Sequence, residues 1–405
     1  MRGSDHACPW LRLAVALFAV SWGANQFAPM QLVYSRHLGL TSGSFTAMLG
    51  AYVLGLVPAL LYFGRVADRA GRRVVIRSMI PVSVVSSLVL LLGPLSPELL
   101  YVGRVLAGVA SGMAFGAGTA WMKELSARAP VGAGARRAAV SLSAGFGCGA
   151  LFAGVVAQWL PAPQVSPYVV HIALMIAALA LVWPVPETRT VRTAPAATRV
   201  TALSKAPFLR GVVPWTPWVF GTATIAFATL PPRVEQSLGA VSIAFTGTIA
   251  ALTMITGAVI QPWARRFLEH REEWGAPAGA VLGVLGLGAA GVVVHTDGAV
   301  AVVAVFGAAL LLGSCYGVLL ISGLVAVERL APEDELAQSV AVYYCLIYLG
   351  FALPFLVSVL APRIGYGTCF AAIAVLMIAS VLVARTAPAP RARPARRDDV
   401  SPVGR

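Results

Sequence analysis

The chain has 405 residues, 58% of them hydrophobic and 11% charged, with 30 Lys and Arg against 16 Asp and Glu. Soluble domains average roughly 25% charged residues; charge this sparse cannot cover a water-exposed surface, and a mean hydropathy of +0.81 requires apolar segments nearly throughout. A soluble globular protein is excluded. The net charge of +14 does not indicate nucleic acid either, because the basic residues sit between apolar runs and not on one polar face with aromatic residues among them.

A transmembrane helix needs about 20 mostly apolar residues, and the chain divides at its charged, Pro-rich and Gly-rich breaks into twelve such spans. In chain order they are predicted at 11–34, 44–63, 74–93, 98–122, 138–160 and 167–185, then at 211–231, 239–262, 276–295, 298–326, 337–361 and 366–384. The first run begins like a signal peptide, mildly basic to Arg12 and apolar from Leu11, but it continues to Tyr34 and reads as a retained helix. The longest polar interruption, 186–210, holds several threonines, Pro195 and five basic residues, the composition of a flexible linker. It separates an N-terminal six-helix bundle at 1–185 from a C-terminal one at 211–384; the Ala/Pro/Arg tail at 385–405 reads as a disordered, basic, cytoplasmic segment.

Orientation follows from Lys and Arg in short loops, which are retained on the cytoplasmic side. Of the 30 basic residues, 26 fall in the loops and termini of one side; the other side has Arg36, Arg233 and Arg363, and Arg104 lies within a span. Both termini are therefore expected in the cytoplasm, and the helix count must be even, since an odd one would mix the two sets. The five cysteines are scattered, four of them inside apolar runs, and read as small buried hydrophobes.

The halves repeat. An offset of 193 maps Gly64 to Gly257, Asp68 to Gln261, Arg72 to Arg265 and Arg73 to Arg266, each set expected between the second and third helix of its half. Parallel six-helix repeats around a midplane cavity suit alternating access. The loop after the second span reads G-R-V-A-D-R-A-G-R-R from Gly64 to Arg73. It resembles the cytoplasmic G-x-L-a-D-r-x-G-r-k signature of the major facilitator superfamily, with Val66 in place of Leu. The resemblance implies that Gly64, Asp68, Arg69, Gly71, Arg72 and Arg73 form a gating element. A small Gly64 allows close helix approach, and Asp68 can cap a helix start and pair with the nearby arginines as a latch. Remaking that latch biases one open state against the other.

Two further motifs are similar to that family's. Leu100, Arg104 and Gly108 fit l-x-x-x-R-x-x-q-G in the fourth span, with Ala107 where the pattern prefers Gln, which implies that Arg104 lines the N-terminal bundle and influences proton or substrate coupling. An arginine inside a span costs roughly 2.5–3.5 kcal/mol even on insertion scales, so it needs a partner or a role; snorkelling to the nearby outer end is the plain alternative. The fifth span reads G-F-G-C-G-A-L-F-A-G from Gly145 to Gly154, similar to the G-x-x-x-G-P-x-x-G-G signature of the 12-helix drug:proton antiporter branch. Here Ala150 takes the proline position and Ala153 a glycine position. Gly145, Gly149 and Gly154 read equally as helix-packing positions, with Gly145, Gly149 and Ala153 making a small-xxx-small face.

None of the sixteen Asp and Glu residues falls well inside a span. A cationic substrate would want a buried carboxylate, so a neutral, zwitterionic or anionic amphiphile is expected, with Arg104 the one fixed charge open to an anion. In the family, helices 1, 4, 7 and 10 line the cavity, with 2, 5, 8 and 11 around them. That resemblance selects Asn25 and Gln26 beside Pro29, Trp218 and Thr222 in the seventh span, and Tyr316 between Gly313 and Gly317 in the tenth. Tyr344 and Tyr348, one turn apart in the eleventh, offer an aromatic wall with hydroxyl handles. Trp215 is expected in the interfacial belt. His171, the only histidine within a span, suits a proton relay, although the resemblance places its helix toward lipid or scaffold.

There is no phosphate-binding Gly-Lys-Ser/Thr loop, no His or Cys cluster with metal-ligand spacing, and no converging Ser, His and Asp set. The expectation is not an enzyme, with no cofactor or metal. It is an all-α membrane protein of twelve transmembrane helices in two pseudo-symmetric six-helix bundles. Its expected function is secondary active transport in the cell membrane, exporting a small amphiphilic metabolite or drug by proton antiport; uptake or facilitated diffusion of a neutral or anionic small molecule is the rival. Its expected partners are that substrate, protons and the lipid bilayer, with no nucleic acid, and the resemblance implies a monomer.

Overall fold

The computed structural model describes residues 8–130, 132–188, 206–332 and 335–387; most of the expected linker and nearly all of the expected tail lie outside them. Among the described residues the structure is helical, with no strand. Ten stretches are long and apolar enough to cross a membrane; one of them, Ala206–His270, contains two passes, and Ser166–Val182 adds a shorter apolar helix. Together these make twelve. In the first half α1 is Pro9–Leu38, α2 Ser42–Ala70, α3 Arg72–Leu91, α4 Glu98–Leu125, α5 Ala133–Trp159 and α6 Ser166–Val182. In the second, α7 covers 206–238 in short pieces, followed by α8 Ser242–His270, α9 Gly275–His295, α10 Gly298–Leu330, α11 over 336–364 and α12 Tyr366–Arg385.

Within the first half α2 packs along α4, α1 along α5 and α6, and α3 against α4 and α6; within the second, α10 lies between α8, α9 and α7, with α12 on α9. The halves meet where α5 runs along α8 and α2 along α11. These seams bring backbones together. A Cβ on Gly108 would run into the Tyr52 carbonyl, so α4 touches α2 with nothing between. A Cβ on Gly145 or Gly149 would strike the α1 backbone at Phe18 or Trp22, and one on Gly154 would meet Ile243 O of α8 at 3.0 Å. The glycine run of α5 therefore serves a neighbour in its own half and the opposite half at once.

Helix ends follow backbone chemistry more than hydropathy. α2 continues past its apolar run, through Arg65 and Asp68, until Gly71 adopts φ 103° and stops it. α8 likewise carries its polar residues inside the helix, so Gly257, Gln261, Arg265 and Arg266 are not in a loop after it. The halves thus align at an offset of 200, Ser42 with Ser242 and Ala70 with His270, and not at 193.

Interior breaks matter more for function. Pro29 has no N–H for the Asn25 carbonyl, so α1 interrupts between Asn25 and Met30; Ala28 N–H donates to Asn25 O at 3.1 Å, and the Ala24 carbonyl is released from the helix ladder. π turns at Ala114–Gly118 in α4 and Ile225–Thr229 in α7, and a 3-10 turn at Leu349–Phe351 in α11, re-aim the side chains around them.

Outward faces are apolar, with Leu54, Leu95, Val303 and Val375 fully presented, and Trp159, Trp183, Trp263 and Trp274 stand exposed near helix ends as interfacial anchors. Trp215, expected in that belt, is instead buried, its indole N–H donating to Gly211 O at 2.7 Å. The segmented start of α7 turns it inward.

Candidate functional site

The break in α1 and the arginine of α4 fit together. Arg104 is 1% exposed; its Nη1 donates to the released Ala24 carbonyl at 3.0 Å, and its guanidinium lies 4.6 Å from the ring centroids of both Phe27 and Tyr52. These two aromatic rings replace part of the lost hydration. Its Nε is buried without a partner, and among the described residues no carboxylate pairs with it. The side chain points into the protein and does not snorkel.

Arg104 forms part of the wall of a cavity of about 20 Å³ between the halves, room for about one water. The first half contributes Asn25, whose Nδ2 donates to Phe146 O at 2.9 Å, with Leu49, Tyr52 and Phe146. The second half contributes Phe220, Phe227, Met254, Tyr348 and Phe351. Phe220 and Tyr348 stack with centroids 4.6 Å apart, and Tyr52 reaches across the seam to Tyr348 and Phe351 at 6.3 and 6.1 Å. The charge and the amide sit on the first-half wall among apolar and aromatic side chains, and the second-half wall is largely aromatic.

Of the residues singled out from the sequence, Asn25, Arg104 and Tyr348 meet at this cavity. Tyr316 sits one ring behind the wall, 5.2 Å from Phe220, and Tyr344 lies half-buried against Tyr343. Trp218 donates to Ser380 of α12 at 2.8 Å, and the Thr222 hydroxyl is spent on the Trp218 carbonyl at 2.9 Å in its own helix. Phe27, Tyr52, Phe220 and Phe351 carry much of the site, yet sequence reasoning passed over them: aromatic residues in apolar runs look alike until the helices are packed.

Gln26 turns away from the cavity into a second polar chain. Its amide nitrogen lies 3.5 Å from Ser87 Oγ, Ser87 Oγ lies 2.8 Å from His171 Nδ1, and His171 Nε2 lies 3.1 Å from Ala19 O. A carbonyl only accepts, so Nε2 carries the proton; Nδ1 then accepts from Ser87, and Ser87 accepts from Gln26. A Cβ on Gly23 would occupy the imidazole's place. α6 therefore aims His171 at α1 and α3 and not at lipid.

The Gly64–Arg73 segment is built around two carboxylates besides its own. Asp68 pairs with Arg72 at 2.7 Å, Arg72 with Glu124 of α4 at 3.3 Å, and the Glu187 carboxylate accepts from the backbone N–H groups of Arg72 at 3.2 Å and Arg73 at 2.9 Å. Glu187 thus caps α3, and a Cβ on Gly71 would collide with it. The Arg69 side chain is exposed. At Gly64 itself a Cβ would meet nothing within 4 Å, but a Cβ on Gly116 of α4 would lie 3.7 Å from the Gly64 Cα, so the two backbones run near each other there. At the arginine-poor end, polar contacts join the halves: Arg36 pairs with Glu235 at 2.7 Å and donates to Ser242, Thr46 meets Ser358 at 3.3 Å, and Gln158 Oε1 accepts from Ile243 N–H at 3.1 Å.

The sequence matches the family model of the Major Facilitator Superfamily over residues 13–353. No curated protein matches it. In fold it is similar to a point mutant of the nucleoside transporter NupG, at 12% identity and TM-score 0.76, over 93% of this chain and 99% of that one. It is similar also to a D-xylose-proton symporter, at 13% identity and TM-score 0.69, over 95% of this chain and 98% of that one. With the family model spanning most of the chain and twelve helices in the fold of known transporters, the chain belongs to the Major Facilitator Superfamily.

Proposed function

We propose that the protein is a secondary transporter that exports a small amphiphile in exchange for protons, by rocking a bundle at 1–185 against one at 211–384 in the cell membrane, with both termini and the arginine-rich loops in the cytoplasm. The observation that carries this reading is the cavity at the seam, walled by a charged, amide-bearing face from one half and aromatic rings from the other. Such a wall accepts a molecule with an apolar body and one polar end. Closure at the arginine-poor end by Arg36, Thr46 and Gln158, with the Asp68–Arg72–Glu124 latch at the other end, supplies contacts that alternate access must break in turn. His171, linked through Ser87 and Gln26 to the residue beside Asn25, is the group we assign to carry the proton. Export follows from the likeness of the α5 glycine run to the antiporter branch.

One observation favours uptake as a second reading. At the position of the antiporter proline, Ala150 is fully buried and α5 runs unbroken through it from Ala133 to Trp159, so the kink a proline would impose is missing. Inside-out vesicles under an imposed pH gradient separate the two. Accumulation of a hydrophobic compound driven by internal acid is the expected result; gradient-independent equilibration would establish facilitated diffusion, and loss of compound from preloaded vesicles driven by the same internal acid, protons and compound leaving together, would establish symport.

A further inference from the structure

The cavity contains a buried positive charge with one bonding edge left open, and that edge specifies a ligand. Arg104 Nη1 is engaged by Ala24 O, and the guanidinium lies 4.6 Å from the ring centroids of both Phe27 and Tyr52. The remaining edge, Nε–H with Nη2–H, is the one that presents two parallel donors to a planar anion. Neither donor has a protein partner among the described residues, and Nε is fully buried. Tyr52 Oη, on the same cavity wall, is a second buried polar atom without a partner.

Burying a cation with no counter-charge is expensive, and the cost is relieved when an anion seats on it. No residue lining the cavity is acidic, so the protein does not supply that anion itself. A single fixed positive charge neutralises one negative charge; a dianion would bring an excess charge into an aromatic-walled space. The two donors of the open edge match the two oxygens of a carboxylate. On the second half, Phe220 stacks on Tyr348 and Phe351 is tilted against both, an aromatic surface suited to an apolar ring. At about 20 Å³ the cavity admits such a molecule only when the halves part.

We infer that this site binds aromatic monocarboxylates, the carboxylate held side-on by Arg104 Nε and Nη2 and the ring against the aromatic wall of the second half. The inference rests on the transport reading above for how the ligand enters, but its own test is binding. The purified full chain in detergent is titrated with benzoate, phenylacetate and indole-3-acetate, with the matching amides, with acetate and with the dianion phthalate, following tryptophan fluorescence and melting temperature. At least one aromatic acid is expected to bind tenfold or more tightly than its amide, than acetate and than phthalate. Arg104→Gln is expected to abolish the preference for acid over amide, and Arg104→Lys, which keeps the charge but not the paired donors, to reduce it about tenfold.

The comparison of acid with amide on the unaltered protein needs no variant, so misfolding of Arg104→Gln cannot mask the answer. Amides binding as tightly as acids, a preference that survives Arg104→Gln, or failure of all three acids to bind would each overturn the site. Transport fails separately. Tight acid binding with no exchange of the bound acid across proteoliposomes would sink the transport reading and leave the site; exchange of neutral compounds with no acid preference would do the reverse.

Discussion

The two halves share a helix plan but divide the chemistry unequally. The first holds Arg104, Asn25, the His171–Ser87–Gln26 chain and the carboxylates that meet Arg72; the second presents Phe220, Phe227, Met254, Tyr348 and Phe351 to the same cavity. At the arginine-rich end the contrast recurs. Arg72 of the first half, only 17% exposed, joins α2, α3 and α4 through two carboxylates, whereas the Arg265–Glu328 pair of the second is 49% and 40% exposed. A duplicated fold therefore does not imply duplicated chemistry: at this cavity the fixed charge and the side-chain amide come from one half, and the other contributes only aromatic and apolar side chains.

The sharpest way to break that contrast is to strike one ion pair at the arginine-rich end of each half. Asp68→Asn is expected to lower transport tenfold or more in vesicles while the amount of inserted protein is unchanged, because it frees one arm of a partly buried network. Arg265→Gln, which removes an exposed pair, is expected to change transport less than twofold; equal losses in the two variants would abolish the asymmetry. A smaller effect is expected on the aromatic side. Tyr348→Ala removes a ring stacked at 4.6 Å on Phe220 and is expected to weaken apparent substrate affinity about 3- to 10-fold, from the roughly 0.5–1.5 kcal/mol of an aromatic pair. Tyr348→Phe keeps the ring and is expected to stay within twofold in the same transport assay. The smallest change belongs to the closed end. The Arg36–Glu235 pair is 37% and 31% exposed, and exposed pairs are worth about 0.2–1 kcal/mol. Arg36→Gln is thus expected to raise labelling of a cysteine placed at Leu49, from the arginine-poor side, by about 1.5- to 5-fold.

The sequence carried the span count because burial in lipid leaves a composition signal that needs no partner: twelve apolar runs separated by short breaks, with the arginines concentrated in alternate ones. It carried Arg104 and Asn25 because a charge or amide in such a run stands out. It did not carry the facing of α6, which is apolar on every side, so periodicity could not tell whether His171 looks at lipid or at Ser87. Nor did it carry the repeat register, since arginines at 265–266 look like a loop until helix propensity extends α8 to His270. Phe27 and Tyr52 were invisible for another reason. Their role is to place rings beside a guanidinium that arrives from a different helix, and only packing creates that pairing.

The Glu187 cap has a mechanical consequence. By gripping the start of α3, and with Thr188 bonded to Glu124, the chain leaving α6 is pinned both to α3, on which α6 itself packs, and to α4. The chain at Glu187 and Thr188 is therefore anchored at the α3 terminus, beside the Asp68–Arg72 pair. In the proposed transport cycle, motion of the second half would reach the Asp68–Arg72 latch through this anchor.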